Sequence, residues 1–578
     1  MLKYIPSLAV CVLVLSGILN FAFQSQASGD SSAAFDKLVD EYFDFQFRFH
    51  PTAGTAAGFH QYDTQLEDSS VASRDAEAAG LNKLLAKFAA VDKGKLSPDA
   101  AADLEVIQAD ANSRLLELHD LRMWEKDPDI YTSGATYAVF IIIKRNFASQ
   151  EERLKSVIAR ERQIPRNLET ARKNLHNPPR IYTEVALQQL PGVAEYFKND
   201  VAAAFPEVKD EKLLAEFKSA NAATIDSIQR YENFLKNELL PASKGDFRIG
   251  AENFRKKLLY EEMVDIPLDR LAEIGYADLH RNQQRLKEVA AQIDPQHSPR
   301  EVLQQLEKDH PPADQLLQTF RDTLGGLRQF IQEKKIITIP SQVLPIVEET
   351  PPFARALTTA SMDTPGAYET VAKEAMFNVT IAEPDWKPER VEEWMEGFNR
   401  GTIISTAVHE VYPGHYTQFL WVQAAPSKTR KLLYCGTNAE GWAHYTEQMM
   451  LDEGYGNGDP RLRVGQLQDA LLRDARFIAG IEMHTGKITM DQAKKFFVDE
   501  GYQTPPVADV ESKRGTSDPT YLVYTLGKLQ ILKLREDYRK KMGDRFKLQD
   551  FHDEFMRQGG IPLELIRKAM LGDDSPTL

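Results

Sequence analysis

His409-Glu410-Val411-Tyr412-Pro413-Gly414-His415 gathers two imidazoles and a carboxylate into one short run of chain. Side chains of this kind hold a divalent cation and activate water, which makes hydrolysis the leading expectation. Each α-helical residue advances about 100°, so histidines four apart lie roughly 40° out of register and can share one metal. Here they are six apart, and on a regular helix they would diverge by about 240°. Pro413 alters that geometry, because it has no N–H to offer the His409 carbonyl and its ring crowds that carbonyl, so the helix must kink or bulge. Gly414 then accommodates a bulge of about two extra residues, bringing His415 back towards His409. The alternative is that Pro-Gly ends a helix, leaving His409 as a buried histidine and His415 in a loop.

Glu440-Gly441-Trp442-Ala443-His444-Tyr445-Thr446-Glu447 lies one short connection downstream and reads as a buried helix. Metallohydrolases with two histidines from one segment commonly draw a third ligand from the next helix and keep one position open. Glu440 is the candidate for that ligand. His444 and Glu447 share its helical face, where either can orient a ligand through a hydrogen bond. For His444 a core histidine with a satisfied ring nitrogen is the stronger reading than direct ligation. Glu410 points away from His409 towards the space above the metal and is expected to act as general base.

These motifs resemble the bacterial DUF885 family, whose helical fold is similar to that of the gluzincin zinc metallopeptidases. The resemblance extends to His50-Pro51-Thr52-Ala53, Gly58-Phe59-His60-Gln61-Tyr62-Asp63, Phe353-Ala354-Arg355-Ala356, Met362-Asp363-Thr364-Pro365-Gly366, Tyr524-Thr525-Leu526-Gly527-Lys528, Phe551-His552-Asp553 and Ile561-Pro562-Leu563. It implies a single zinc ion on His409, His415 and Glu440, with Glu410 as base. It also implies that Tyr524, and more weakly His484, stabilise an oxyanion opposite the metal; a core aromatic is the competing reading for Tyr524. Two departures stand out. Gly480-Ile481-Glu482-Met483-His484 lacks the aspartate of the family's Asp-x-Gly-Ile-His, and Asp518-Pro519-Thr520-Tyr521 replaces Pro-Gly-Gln-Ala.

A chain of 578 residues, 42% hydrophobic and 27% charged, has ample material for a large core. Its net charge of −15 argues against a nucleic-acid partner, which would require a basic face. Lys3 precedes an apolar run from Ile5 to Phe23, and Ser25-Gln26-Ala27 offers the small residues that signal peptidase prefers. Residues 1–27 therefore read as a cleaved export signal and the periplasm as the destination, with no stable membrane insertion afterwards. An uncleaved anchor is the alternative. Cys11 lies inside the apolar run and gives only a weak lipid-anchor signal. The mature chain keeps Cys435 alone, so no internal disulfide can form.

Apolar residues at three- and four-residue spacing predict helices over 33–48, 74–93, 98–121, 151–175, 209–238, 266–292 and 314–335. Ser97-Pro98-Asp99 and Ser298-Pro299-Arg300-Glu301 mark helix starts. Strand signals are confined to 336–340, 343–347 and 376–381, predicting a small sheet beside the metal helix whose edge could receive an extended peptide. The expected architecture is mainly α: a large multi-helix, metallopeptidase-like fold with that sheet and a central cleft. Residues 28–578 form one catalytic domain, divisible into helical halves at about 28–295 and 296–578. Arg514, in the polar turn before the Tyr524 segment, could bind a peptide C-terminal carboxylate or equally cap or bridge helices, and Arg473 or Arg476, on the helix leading to His484, could pair with an acid near the zinc or simply with Asp469 or Asp474; none is assigned to catalysis. The expected activity is hydrolysis of a peptide bond in a peptide substrate. A hydrolase of a non-peptide amide or ester would use the same atoms, and an inactive metal-bound binding protein would keep the cleft without turnover.

Overall fold

A computed structural model describes residues 32–351, 355 and 358–578. The export signal over 1–27 and Cys11 lie outside the described residues, as do Phe353, Ala354 and Ala356. The architecture is mainly helical with one small sheet. Six helices position the candidate site: α1 (Leu268–Ile293), α2 (Arg400–Glu410), α3 (His415–Gln423), α4 (Gly436–Asp452), α5 (Pro460–His484) and α6 (Val523–Met542). No helix among the described residues is long and apolar enough to cross a membrane.

Most predicted helices form close to their expected bounds, including 32–49, Val71–Ala89, Pro98–Leu116, Glu211–Phe234 and Leu316–Lys334. Ser97 and Ser298 cap their helices through the side chain, with proline in the first turn. The 151–175 expectation is corrected. Two helices, Gln150–Glu161 and Ile164–Asn174, replace one, because Pro165 cannot donate to a preceding turn and instead occupies the start of a new helix.

The sheet has strand order β1-β3-β2, with β1 (Ile346–Glu349) parallel and β2 (Ala360–Asp363) antiparallel to β3 (Met376–Val379). Residues 336–340 form no strand, contrary to expectation. Ile336 and Ile337 are buried in the core, but the backbone oxygens of this strap are taken by side chains: His552 Nδ1 binds the Ile336 oxygen at 2.8 Å and Trp421 Nε1 the Thr338 oxygen at 2.9 Å. β2 was not foreseen, and it is this edge strand that contacts α2.

Close helix crossings organise the core around α2, α4, α5 and α6. A Cβ built on Gly441 of α4 would stand 2.4 Å from the Gly527 Cα of α6, and one on Gly401 of α2 would stand 3.0 Å from the Gly465 Cα of α5. Only hydrogen side chains permit such approaches. Polar groups lock the same helices. Lys528 of α6 reaches Asp278 of α1 at 2.7 Å, while Asp474 of α5 accepts from Asn282 of α1 at 2.7 Å and Thr525 of α6 at 2.9 Å. The N-terminus of α4 is capped from a distance: the Glu262 carboxylate accepts from Gly436 N at 3.0 Å and Thr437 N at 2.7 Å, and also receives the buried Cys435 thiol at 2.9 Å.

Candidate metal centre

α2 ends at Glu410 and α3 begins at His415. The chain does not bulge within one continuing helix, as the spacing suggested. It turns through Val411–Gly414 and starts afresh, with a cis peptide bond between Tyr412 and Pro413. The turn is tied inward by Gly414 N to the Val408 oxygen at 3.0 Å and by Trp442 Nε1 to the Pro413 oxygen at 2.9 Å. Gly414 has an ordinary negative φ. Its requirement is space, since a Cβ there would meet the His409 oxygen at 1.8 Å. Helix termination and convergence of the histidines thus occur together, and the two rings stand edge to face at 4.8 Å.

His409, His415 and Glu440 each offer one donor atom, all within 4.8 Å of one another. Both imidazole Nε2 atoms lie 3.4 Å from Glu440 Oε2, an oxygen that is buried and has no hydrogen bond of acceptable geometry. The edge of a tetrahedron with zinc–ligand bonds of about 2.0–2.1 Å is roughly 3.3–3.4 Å. The donor set and its two carboxylate–imidazole edges therefore fit a tetrahedral cation, and the orphaned carboxylate oxygen is what such a cation would satisfy.

Surrounding groups fix the donors. Glu447 accepts from His409 Nδ1 at 2.7 Å, which leaves Nε2 free to face the centre, and its other oxygen lies 3.0 Å from His444 Nδ1. Arg473 joins Glu447 at 3.1 Å. Burial disfavours the charged form of His409, but nearby Glu440 and Glu447 outweigh it and lift its pKa to about 9. Burial likewise opposes ionisation of Glu440, yet His415 and His409 hold it well below the usual carboxylate range. The centre is thus built to attract positive charge. Burial depresses His444 to about 3, so it is a neutral core histidine one contact removed from the donors.

Glu410 is half-buried, makes no side-chain hydrogen bond among the described residues, and is pushed up by burial. Tyr524, also half-buried, stacks on His409 with ring centres 6.3 Å apart. Its hydroxyl oxygen accepts from Arg514 Nη2 at 3.3 Å. Burial raises its pKa, so the phenol keeps its proton. His484 is elsewhere, which corrects the expectation for it. Its Nε2 binds the Gly515 oxygen at 2.8 Å, its Nδ1 accepts from Ile249 N at 3.3 Å, and burial lowers it to about 4. With both ring nitrogens on backbone and 1% exposure, it has nothing to offer a substrate. Tyr434, not singled out from the sequence, is 67% exposed and close enough to Glu440 and Tyr524 to feel their charge. Its position one residue before Cys435-Gly436, at the entry to α4, was the only available signal.

Fold and site together define a mainly helical protein with a candidate His-His-Glu cation centre at the junction of three helices. The chain belongs to the family described as bacterial protein of unknown function (DUF885), whose model matches residues 51–570. A solved structure described as "a putative lipoprotein of unknown function from Shewanella oneidensis" is 26% identical, with TM-score 0.77 over 93% of this chain and 99% of that one. A second, described as "the putative lipoprotein from Colwellia psychrerythraea", is 17% identical, with TM-score 0.80 over 94% and 99%, and shares the fold. No protein with a curated description matches the chain.

Proposed function

We propose that this protein is an exported zinc-dependent peptidase. The observation that carries the reading is the spacing of His409 Nε2, His415 Nε2 and the orphaned Glu440 Oε2, with an unbonded carboxylate, Glu410, directly beside them. A zinc ion held by those three donors would supply Lewis acidity, polarising a carbonyl and making water acidic near neutral pH. Glu410 takes a proton from the attacking water and returns it to the leaving amine, a role suited to a carboxyl whose pKa burial has raised. Tyr524 donates its hydroxyl proton to the developing oxyanion, and Arg514, by donating to the phenol oxygen, leaves that proton pointing outward. β2, an edge strand against α2, offers main-chain groups to an extended peptide. His484 takes no part.

Export rests on the apolar segment before Ala27 and agrees with the description of both solved neighbours as lipoproteins. The test of the activity combines metal analysis with mass-spectrometric profiling of a mixed peptide library. Wild type is expected to carry one zinc per chain and to cleave peptides, with Glu410→Gln retaining zinc and losing at least about 100-fold in rate. Equal processing of the library by wild type and Glu410→Gln sinks the proposal.

A further inference from the structure

A cationic wall stands beside the candidate centre. Arg473, Arg476 and Arg514 place their guanidinium carbons 5.7, 5.1 and 6.0 Å from the Tyr524 ring centre. Two of the three are committed to the fold. Arg473 is held by Glu447 and Asp469, and Arg476 makes a buried bidentate pair with Glu511 at 2.7 and 2.7 Å. Arg514 differs. Its side chain is 38% exposed, and it meets an equally open carboxylate, Asp518, through a single oxygen, with Nε at 3.2 Å and Nη2 at 3.0 Å. Its Nη2 also donates to the Tyr524 hydroxyl, and its Nη1 makes no hydrogen bond among the described residues. A guanidinium can hold two parallel hydrogen bonds to one carboxylate on each of its faces. Here Nε and Nη2 are on Asp518 and Nη2 also serves the Tyr524 hydroxyl, so Nη1 is the donor left for an incoming carboxylate oxygen.

We infer that Arg514 receives the free α-carboxylate at the C-terminus of the substrate, so that the protein removes residues from that end. This rests on the peptidase reading above. Through the Tyr524 ring, the Arg514 guanidinium carbon lies at most roughly 12 Å from the His409 ring centre, the span of about three extended residues. The released pieces are therefore one to three residues long. The bond broken is the C–N amide: the hydroxyl of water goes to the acyl carbon, the remaining hydrogen to the amine nitrogen, and the leaving fragment keeps its carboxylate on Arg514.

The test uses the zinc-loaded full chain and N-acetylated peptides made in two forms, with a free C-terminal carboxylate and with a C-terminal amide. Wild type should shorten the free acids by one to three residues and process the amides at least about ten-fold more slowly. Arg514→Gln should erase that difference, slowing both forms through Tyr524 but the free acids about ten-fold more, and Arg514→Lys should restore part of the difference. Circular dichroism and zinc content check that both variants are folded and loaded. A second readout is binding: calorimetry on Glu410→Gln should show free acids binding about ten-fold tighter than amides. Equal cleavage of both forms at internal bonds overturns the inference while leaving the peptidase reading intact. Absence of any hydrolysis removes the peptidase reading, and equal affinity for acid and amide then overturns this inference as well.

Discussion

Replacing Gly441 by alanine tests whether the centre depends on how closely α4 and α6 approach. The added Cβ would stand 2.4 Å from the Gly527 Cα and 2.6 Å from its carbonyl carbon, against about 3.5–4.0 Å for an ordinary carbon–carbon contact. Both obstructing atoms are backbone, so relief requires the helices to part by about 1 Å. Overpacking of this kind costs about 1–3 kcal/mol. Glu440 precedes Gly441 and moves with it, whereas His409 and His415 ride on α2 and α3. A displacement of about 1 Å is a large fraction of the 3.4 Å separating Glu440 Oε2 from each imidazole, and errors of that size cost up to about 100-fold at a working site. Gly441→Ala is therefore expected to lower Tm by several degrees and to weaken zinc binding by about 10–100-fold in a chelator competition. Gly325 is the control: it is exposed in mid-helix with nothing within 4 Å of a built Cβ, so Gly325→Ala should stabilise by about 0.5–1 kcal/mol. If Gly441→Ala keeps the wild-type Tm and zinc affinity, the close crossing does not position Glu440 and the reasoning fails.

Two further outcomes are expected. Glu447→Gln preserves shape but removes the charge shared by His409, His444 and Arg473, so zinc affinity should fall about 10–100-fold; an unchanged chelator titration would mean Glu447 does not prepare the donor. Glu161 is fully buried, with one oxygen on Asn221 and the other unpartnered, and burial pushes its pKa up from 4.5 to about 7. Because the folded pKa lies above the unfolded one, the contribution of Glu161 to stability is greatest below about pH 4.5 and declines as pH rises towards 7. Glu161→Gln should therefore raise stability at pH 8 by about 1–3 kcal/mol, the shift supplying roughly 3 and the extra unpaired N–H taking some back, with the gain vanishing near pH 4.5. A variant whose Tm difference from wild type is flat across that range contradicts the assignment.

The helices of the N-terminal half were legible from their buried apolar stripes, and Ser97-Pro98 and Ser298-Pro299 marked two of the starts. Pro165 was legible only as a residue, since whether a proline kinks a helix or opens another depends on what packs around it. β2 could not be read. Ala360-Ser361-Met362-Asp363 has no β-branched alternation, and its strand character comes from pairing with Phe377 and Val379 far along the chain. The 336–340 strap misled in the opposite direction: its Ile-rich composition fits a strand, but His552 and Trp421 claim its carbonyls. At the centre, residue types and order pointed to the three donors that the structure brings together, whereas the means of approach did not appear. A turn between two helices, held by Trp442 and requiring a hydrogen at Gly414, is a tertiary solution. His484 was misplaced because a histidine on a helix leading to a site looks the same whether its nitrogens face substrate or backbone.

The donors of the centre are two imidazoles and a carboxylate, none of which is readily oxidised. The free cysteine among the described residues, Cys435, is buried against Glu262, and burial keeps its thiol protonated. A protonated, enclosed thiol neither attacks peroxides nor competes for the metal. Among the described residues, then, no reactive thiol couples the candidate centre to the redox poise of its surroundings, and its three candidate donors should keep their places in reducing and oxidising conditions alike.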